Sequence, residues 1–207
     1  MGDVVTRLIH HRINTLNAGK MISPEFGAEV DLRLHQSRLV LAHDPLEDGC
    51  DFNIWLSAYK GSLLVINVKE MGLEDIIVNE IMRVNSSLDY FFLDQSIPYL
   101  IKSIAKGYKC AARISEYETT ESAFLQNTSW LWVDSFTGDW SHLAELSSKQ
   151  AEESMKRKIC LVSPELHGRS FENSNEVSVL IHQIGKLQIE LDAVCTKFAS
   201  VWKKLLV

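Results

Sequence analysis

Glu29 and Asp31 lie two residues apart inside an apolar run, FGAEVDLRLHQSRLVLAHDP, that spans residues 26–45. On a β-strand alternate side chains share a face, so both carboxylates point the same way. Twelve residues after Asp31, His43-Asp44 closes a second apolar run, Leu39-Val40-Leu41-Ala42. Upstream, His10-His11-Arg12 adds a further imidazole and a guanidinium suited to phosphate. Paired carboxylates hold hard divalent cations, and a histidine at a strand end moves protons. Asn67 and Lys69 end a third apolar run. Two histidines, two carboxylates, an arginine and a lysine suit attack on a phosphodiester. The metal would neutralise non-bridging oxygens, Arg12 and Lys69 would add positive charge, and the histidines would shuttle protons.

Each residue also has an ordinary reading. A Glu-x-Asp pair on a strand usually belongs to a solvated face. Here Ala28, Val30 and Leu32 flank the acids, which predicts a strand covered on both sides. Buried carboxylates require a partner or a metal. His43-Asp44-Pro45 also reads as a turn, and Arg12 or Lys69 alone as a surface side chain. Asp94, Glu116, Asp134 and Glu165 follow later apolar runs, where helix N-caps and first turns are the ordinary roles of acids.

These side chains need a scaffold of strand ends, and the chain alternates short apolar runs with longer amphipathic stretches. Strands are predicted over 6–10, 28–32 with a continuation at 39–42, 62–68, 90–93, 109–114, 130–133, 158–162 and 191–195. Helices are predicted over 73–84, 97–105, 142–157, 176–186 and 198–206. Eight strands mostly followed by helices predict an α/β fold, a compact (β/α)8 TIM barrel in a single domain over 1–207. A length of 207 residues is short for that barrel, so some helices must be replaced by loops, with 45–61 as the first choice. A doubly wound sheet is the alternative, but no glycine-rich phosphate loop follows the first strand.

Composition narrows the function classes. A net charge of -6 with no basic tract argues against a nucleic-acid surface. No apolar run approaches the roughly 20 residues of a transmembrane helix, and a soluble, cytoplasmic protein is expected. Gly2 and Thr6 fit an acylation pattern that is short and often met by chance. Cys50, Cys110, Cys160 and Cys195 form no C-x-x-C pair, so buried reduced thiols are expected and zinc is not. Trp130 and Trp132 bracket Leu131; they fit either core packing or contact anchors of a scaffold subunit. Oligomeric state is open.

The early motifs resemble the glycerophosphodiester phosphodiesterase and phosphatidylinositol-phospholipase-like superfamily. The resemblance rests on His11-Arg12, Glu29-Val30-Asp31, His43-Asp44 and Asn67-Val68-Lys69, with a weaker match at Leu191–Thr196. It implies a metal-dependent phosphodiesterase on a (β/α)8 barrel, with a small-molecule phosphodiester as substrate. By resemblance Glu29, Asp31 and Asn67 would hold Mg²⁺ or Ca²⁺, His11 and His43 would be the acid–base pair, and Arg12 and Lys69 would contact the phosphate. The chain departs from the family pattern at Ile13, where glycine is usual, and at Asn67, where a carboxylate is usual. An amide ligand brings no negative charge, so a phosphate- or sugar-phosphate-binding protein that has lost catalysis is the alternative.

Overall fold

The computed structural model describes residues 6–152, 157–169 and 176–206. Gly2 of the acylation pattern and the 153–156 part of the helix predicted over 142–157 lie outside them. The chain divides into two compact units, one of residues 9–110 and one of residues 1–8 with 111–207. Strand β1 (Arg7–His10) runs from the second into the first.

In the 9–110 unit the central strand is β2 (Phe26–His35). It pairs in parallel with β5 (Leu63–Val68), which pairs in parallel with β6 (Asp89–Leu93). Period-2 alternation sorts β2 as the sequence predicts. Ala28, Val30 and Leu32 join one apolar core with Leu64, Ile66 and Phe92, while Glu29 and Asp31 face the opposite side. Both acids are nonetheless buried, each 1% exposed. Two helices at the start of the unit, α1 (Leu16–Met21) and α2 (Phe52–Ala58), pack through Gly19, where a Cβ would stand 2.4 Å from the Trp55 indole. Thr15 caps α1 and Asp51 caps α2, each side-chain oxygen accepting a backbone N–H of the first turn. Helices α3 (Glu74–Asn85) and α4 (Ile97–Ala105) follow β5 and β6, close to their predicted bounds.

Two expectations are corrected here. Residues 39–42 do not continue β2. They lie in β3 (Arg38–Leu41), which returns antiparallel with Leu32 opposite Leu41. The turn uses Gln36 and Ser37, both at positive φ (47° and 64°), in place of the usual Asn-Gly. Residues 45–61 are not all loop, because they contain β4 (Cys50–Asp51), paired with β3, and α2. The Phe52, Trp55 and Leu56 spacing gives α2 its buried face, which a short window between turn residues hides.

In the 111–207 unit, β7 (Ala111–Ile114), β8 (Trp130–Val133), β9 (Lys158–Val162) and β10 (Ala193–Thr196) run parallel in that order. The intervening helices are α5 (Thr120–Leu125), α6 (His142–Ala151) and α7 (Glu176–Lys186), and α8 (Ala199–Leu205) follows β10. A 3-10 turn, Pro164–His167, follows β9 and ends at Gly168, whose φ of 75° is left-handed. All five tryptophans are buried, so Trp130 and Trp132 are core residues and not contact anchors. Cys110, Cys160 and Cys195 are buried thiols and Cys50 is half-buried; none is in a disulfide.

Candidate active site

The carboxylate pair gathers the early motifs around it. Asp31 lies opposite Asn67 in the β2–β5 register, which sets the two side chains next to each other on one face. Lys69 Nζ is 3.0 Å from Asp31 Oδ1, and Arg12 Nε is 3.6 Å from Oδ2. Asn14 donates from Nδ2 to Asp31 Oδ2 (2.8 Å) and accepts the Asp31 backbone N–H at Oδ1 (2.9 Å). Glu29 Oε2 accepts the Arg12 backbone N–H at 2.8 Å and lies 3.8 Å from His11 Nε2. Arg12 reaches this position with a left-handed backbone, φ 55°, a local strain of the kind found where a site over-determines the chain.

The hairpin decides where His43 goes. Because β3 runs back along β2, the Ala42 backbone N–H bonds the Asp31 carbonyl at 3.0 Å. Arg33 donates from Nε (3.2 Å) and Nη2 (2.9 Å) to the His43 carbonyl, fixing the backbone there. The His43 side chain is 39% exposed, with Nδ1 2.8 Å from Asp44 Oδ1. A carboxylate on one ring nitrogen orients the imidazole and leaves Nε2 for other work. His10 takes a different role, edge-on to Phe26 with ring centroids 5.1 Å apart.

Electrostatically the site is short of positive charge at Glu29. Burial, then the neighbouring Asp31, push its carboxyl up to about 8, against the pull of the Arg12 N–H and Lys69. The Asn67 Oδ1 atom is buried and has no hydrogen-bond partner. A buried amide oxygen without a donor costs free energy that a cation or a ligand donor would recover. Two buried carboxylates and that oxygen make a donor set fitted to a hard divalent ion. Among the described residues no three His, Cys, Asp or Glu side chains are placed to hold a metal ion by themselves.

Neither a family model nor a curated protein matches the sequence. Solved structures do match the fold. A candidate glycerophosphodiester phosphodiesterase from Galdieria sulphuraria shares it over the full length of both chains, at a TM-score of 0.68 and 14% identity. The glycerophosphodiester phosphodiesterase of Thermotoga maritima covers 97% of this chain and 98% of its own, with a TM-score of 0.65 and 18% identity. That of Parabacteroides distasonis covers 99% and 98%, with a TM-score of 0.64 and 12% identity. The chain has the glycerophosphodiester phosphodiesterase fold. This is the (β/α)8 class predicted from the alternation of strands and helices.

The sequence reading placed His11, Arg12, Glu29, Asp31, Asn67 and Lys69 in or at the ends of the first three predicted strands, and the structure brings them together. It gave no role to Asn14, the tightest partner of Asp31, although the His-x-x-Asn spacing from His11 marks that residue. Of the acids after the later runs, Glu165 lies in the first turn of the 3-10 helix, as expected of such acids, while Asp134 and Glu116 take other roles. Asp134, 1% exposed, pairs with Arg113 and bonds His167 at 2.6 Å. Buried Glu165 accepts the Lys197 backbone N–H at 3.0 Å. Glu116 accepts from the Ser135 and Thr137 hydroxyls, both 2.6 Å, and from the Phe136 and Thr137 backbone N–H groups. Desolvation raises the Glu116 pKa, but these donors outweigh it and hold the carboxyl well below its ordinary value. The stabilisation is therefore complete above the unfolded value near 4.5 and is lost as pH falls toward the depressed folded value. Thermal melts of Glu116→Gln and parent are expected to converge as pH drops below that point and to separate above it. Equal melting temperatures at neutral pH would show that the Glu116 charge contributes nothing.

Proposed function

We propose that the chain is a phosphodiesterase acting on a glycerophosphodiester or a related small phosphodiester. The buried Glu29–Asp31 pair beside the unpartnered Asn67 oxygen, with His11 at 3.8 Å from Glu29, supports this reading most directly. Glu29, Asp31 and Asn67 would hold a divalent cation, Mg²⁺ or Ca²⁺, which supplies positive charge to the non-bridging phosphate oxygens. Arg12 would bind and orient the phosphate, with Lys69 turning from Asp31 toward it. His11 and His43 would divide the proton transfers, one taking a proton from the attacking hydroxyl and one giving a proton to the leaving oxygen. The leaving group is an alkoxide of high basicity, so its protonation is where an acid gains most. The chain would act inside the cell on a small molecule, without nucleic acid; no helix among the described residues is long and apolar enough to cross a membrane.

Calorimetric titration with Mg²⁺ and Ca²⁺ tests the site independently of turnover. Binding is expected in the parent and absent in Glu29→Ala. Asn67→Asp adds a negative ligand and is expected to tighten the cation by roughly tenfold. A parent that binds neither ion would overturn the cation assignment.

A second reading has its own observation. Lys69 sits 3.0 Å from Asp31 and occupies one of its oxygens. A permanent ammonium there would replace the cation and leave a phosphate-binding protein without turnover. Saturable binding of inorganic phosphate without cation dependence, and no hydrolysis across a panel of diesters, would select this reading.

A further inference from the structure

The loops of the 111–207 unit converge on a side-chain pair that the proposed reaction leaves unused. Asp134 Oδ1 accepts from His167 Nε2 at 2.6 Å and from the Ser135 backbone N–H at 2.9 Å, and Oδ2 pairs with Arg113. The carboxylate orients the imidazole through Nε2 and leaves Nδ1 turned away from Asp134. The His167 side chain is 22% exposed, and Nδ1 is the nitrogen left for a ligand.

The surroundings hold this pair rigidly. His167 ends the 3-10 turn, and Glu165 of that turn is tied to the β10 end by the Lys197 backbone N–H (3.0 Å) and the Thr196 hydroxyl (2.5 Å). Arg169 donates to the Ser135 carbonyl (2.8 Å) and the Phe136 carbonyl (3.0 Å), and Glu116 binds the same loop from its other side. That loop carries Phe136, whose ring centroid is 4.6 Å from His167. Tyr117 lies 5.9 Å beyond Phe136, and both rings are exposed, 73% and 43% respectively. The Arg113 guanidinium lies over Phe136, 5.5 Å from the ring centroid, and the aromatic surface that stays exposed beside the held imidazole suits a ligand with a C–H face and hydroxyl edges.

Charge selects among such ligands. Arg113 is already shared between Asp134 and Glu118, the latter at 3.4 Å. Arg169 is likewise paired, with Glu176 at 2.9 Å, so among the described residues both arginines of the cluster already face carboxylates that disfavour a phosphate. We propose that Asp134, His167 and the Phe136–Tyr117 rings form a binding site for a neutral polyol or sugar. Its hydroxyl hydrogen-bonds His167 Nδ1, and its carbon face rests on the exposed part of Phe136. The site stands whether or not the chain hydrolyses a phosphodiester.

The test is NMR of the full chain with labelled imidazoles, titrated separately with glucose, glycerol and inorganic phosphate. The His167 ring signals are expected to move saturably with glucose or glycerol and to stay still with phosphate. Phe136→Ala, an exposed ring whose loss leaves the core intact, is expected to weaken sugar binding by about fivefold. Asp134→Asn is expected to weaken it as well by loosening the imidazole. Signals unmoved by either polyol would overturn the site, and so would movement with phosphate alone. Undiminished binding in Phe136→Ala would overturn the stacking geometry on which it rests.

Discussion

Replacing His11 by alanine is expected to lower kcat on a glycerophosphodiester by about 10²–10⁴-fold while leaving the protein folded. The rate effect follows from the place of the ring. Its Nε2 lies 3.8 Å from Glu29, beside the carboxylate that the cation would share. The fold is spared because the chain directly after His11 stays anchored. The Arg12 N–H bonds Glu29 and the Ile13 N–H bonds the Glu29 carbonyl, and neither uses the imidazole. His43→Ala should behave alike, since Arg33 holds that residue by its carbonyl. Groups that act in one reaction are not additive, so the double variant should lose little beyond the worse single one. Steady-state rates with circular dichroism as a folding control decide the matter; near-parental rates in both single variants would sink the acid–base assignment.

Asp31→Ala should show the largest loss of stability, about 3–5 kcal/mol, because it breaks a buried ionic network by removing its centre. Asp31 is 1% exposed and receives Asn14, Lys69 and Arg12. Without it, Lys69 keeps a charge in a half-closed setting, and the Asn14 amide loses its acceptor. Asp31→Asn retains the shape and one acceptor oxygen and should cost less. Urea denaturation in the absence of divalent ions measures the effect without any contribution from metal binding. An Asp31→Ala midpoint equal to that of the parent would mean that the network carries no net stabilisation.

The scaffold was legible where the local signal matched the final environment. Parallel strands covered on both faces read as continuous apolar runs, as with Leu63–Val68 and Trp130–Val133. Helices with a clear apolar stripe and a start signal, such as Ile97–Ala105 behind Ser96, were legible too. The β2–β3 hairpin was not, because Gln36-Ser37 carries none of the usual turn chemistry. The short helices α1 and α2 were missed because their faces are completed by tertiary packing, Gly19 against Trp55, and not by a long periodic pattern.

The sequence by itself determined which groups share a face. Strand alternation puts Glu29 with Asp31, since side-chain direction on a strand follows from covalent geometry alone. It also determined the α/β barrel class that the fold comparison bears out. Only the tertiary structure decided what those groups meet. The Asp31–Asn67 register, the clasp of Asn14, the return of His43 along β2 and the Asp134–His167 pair all join residues far apart in the chain. Such contacts depend on how separate strands and loops are aligned in space, and no local pattern of residues encodes that alignment.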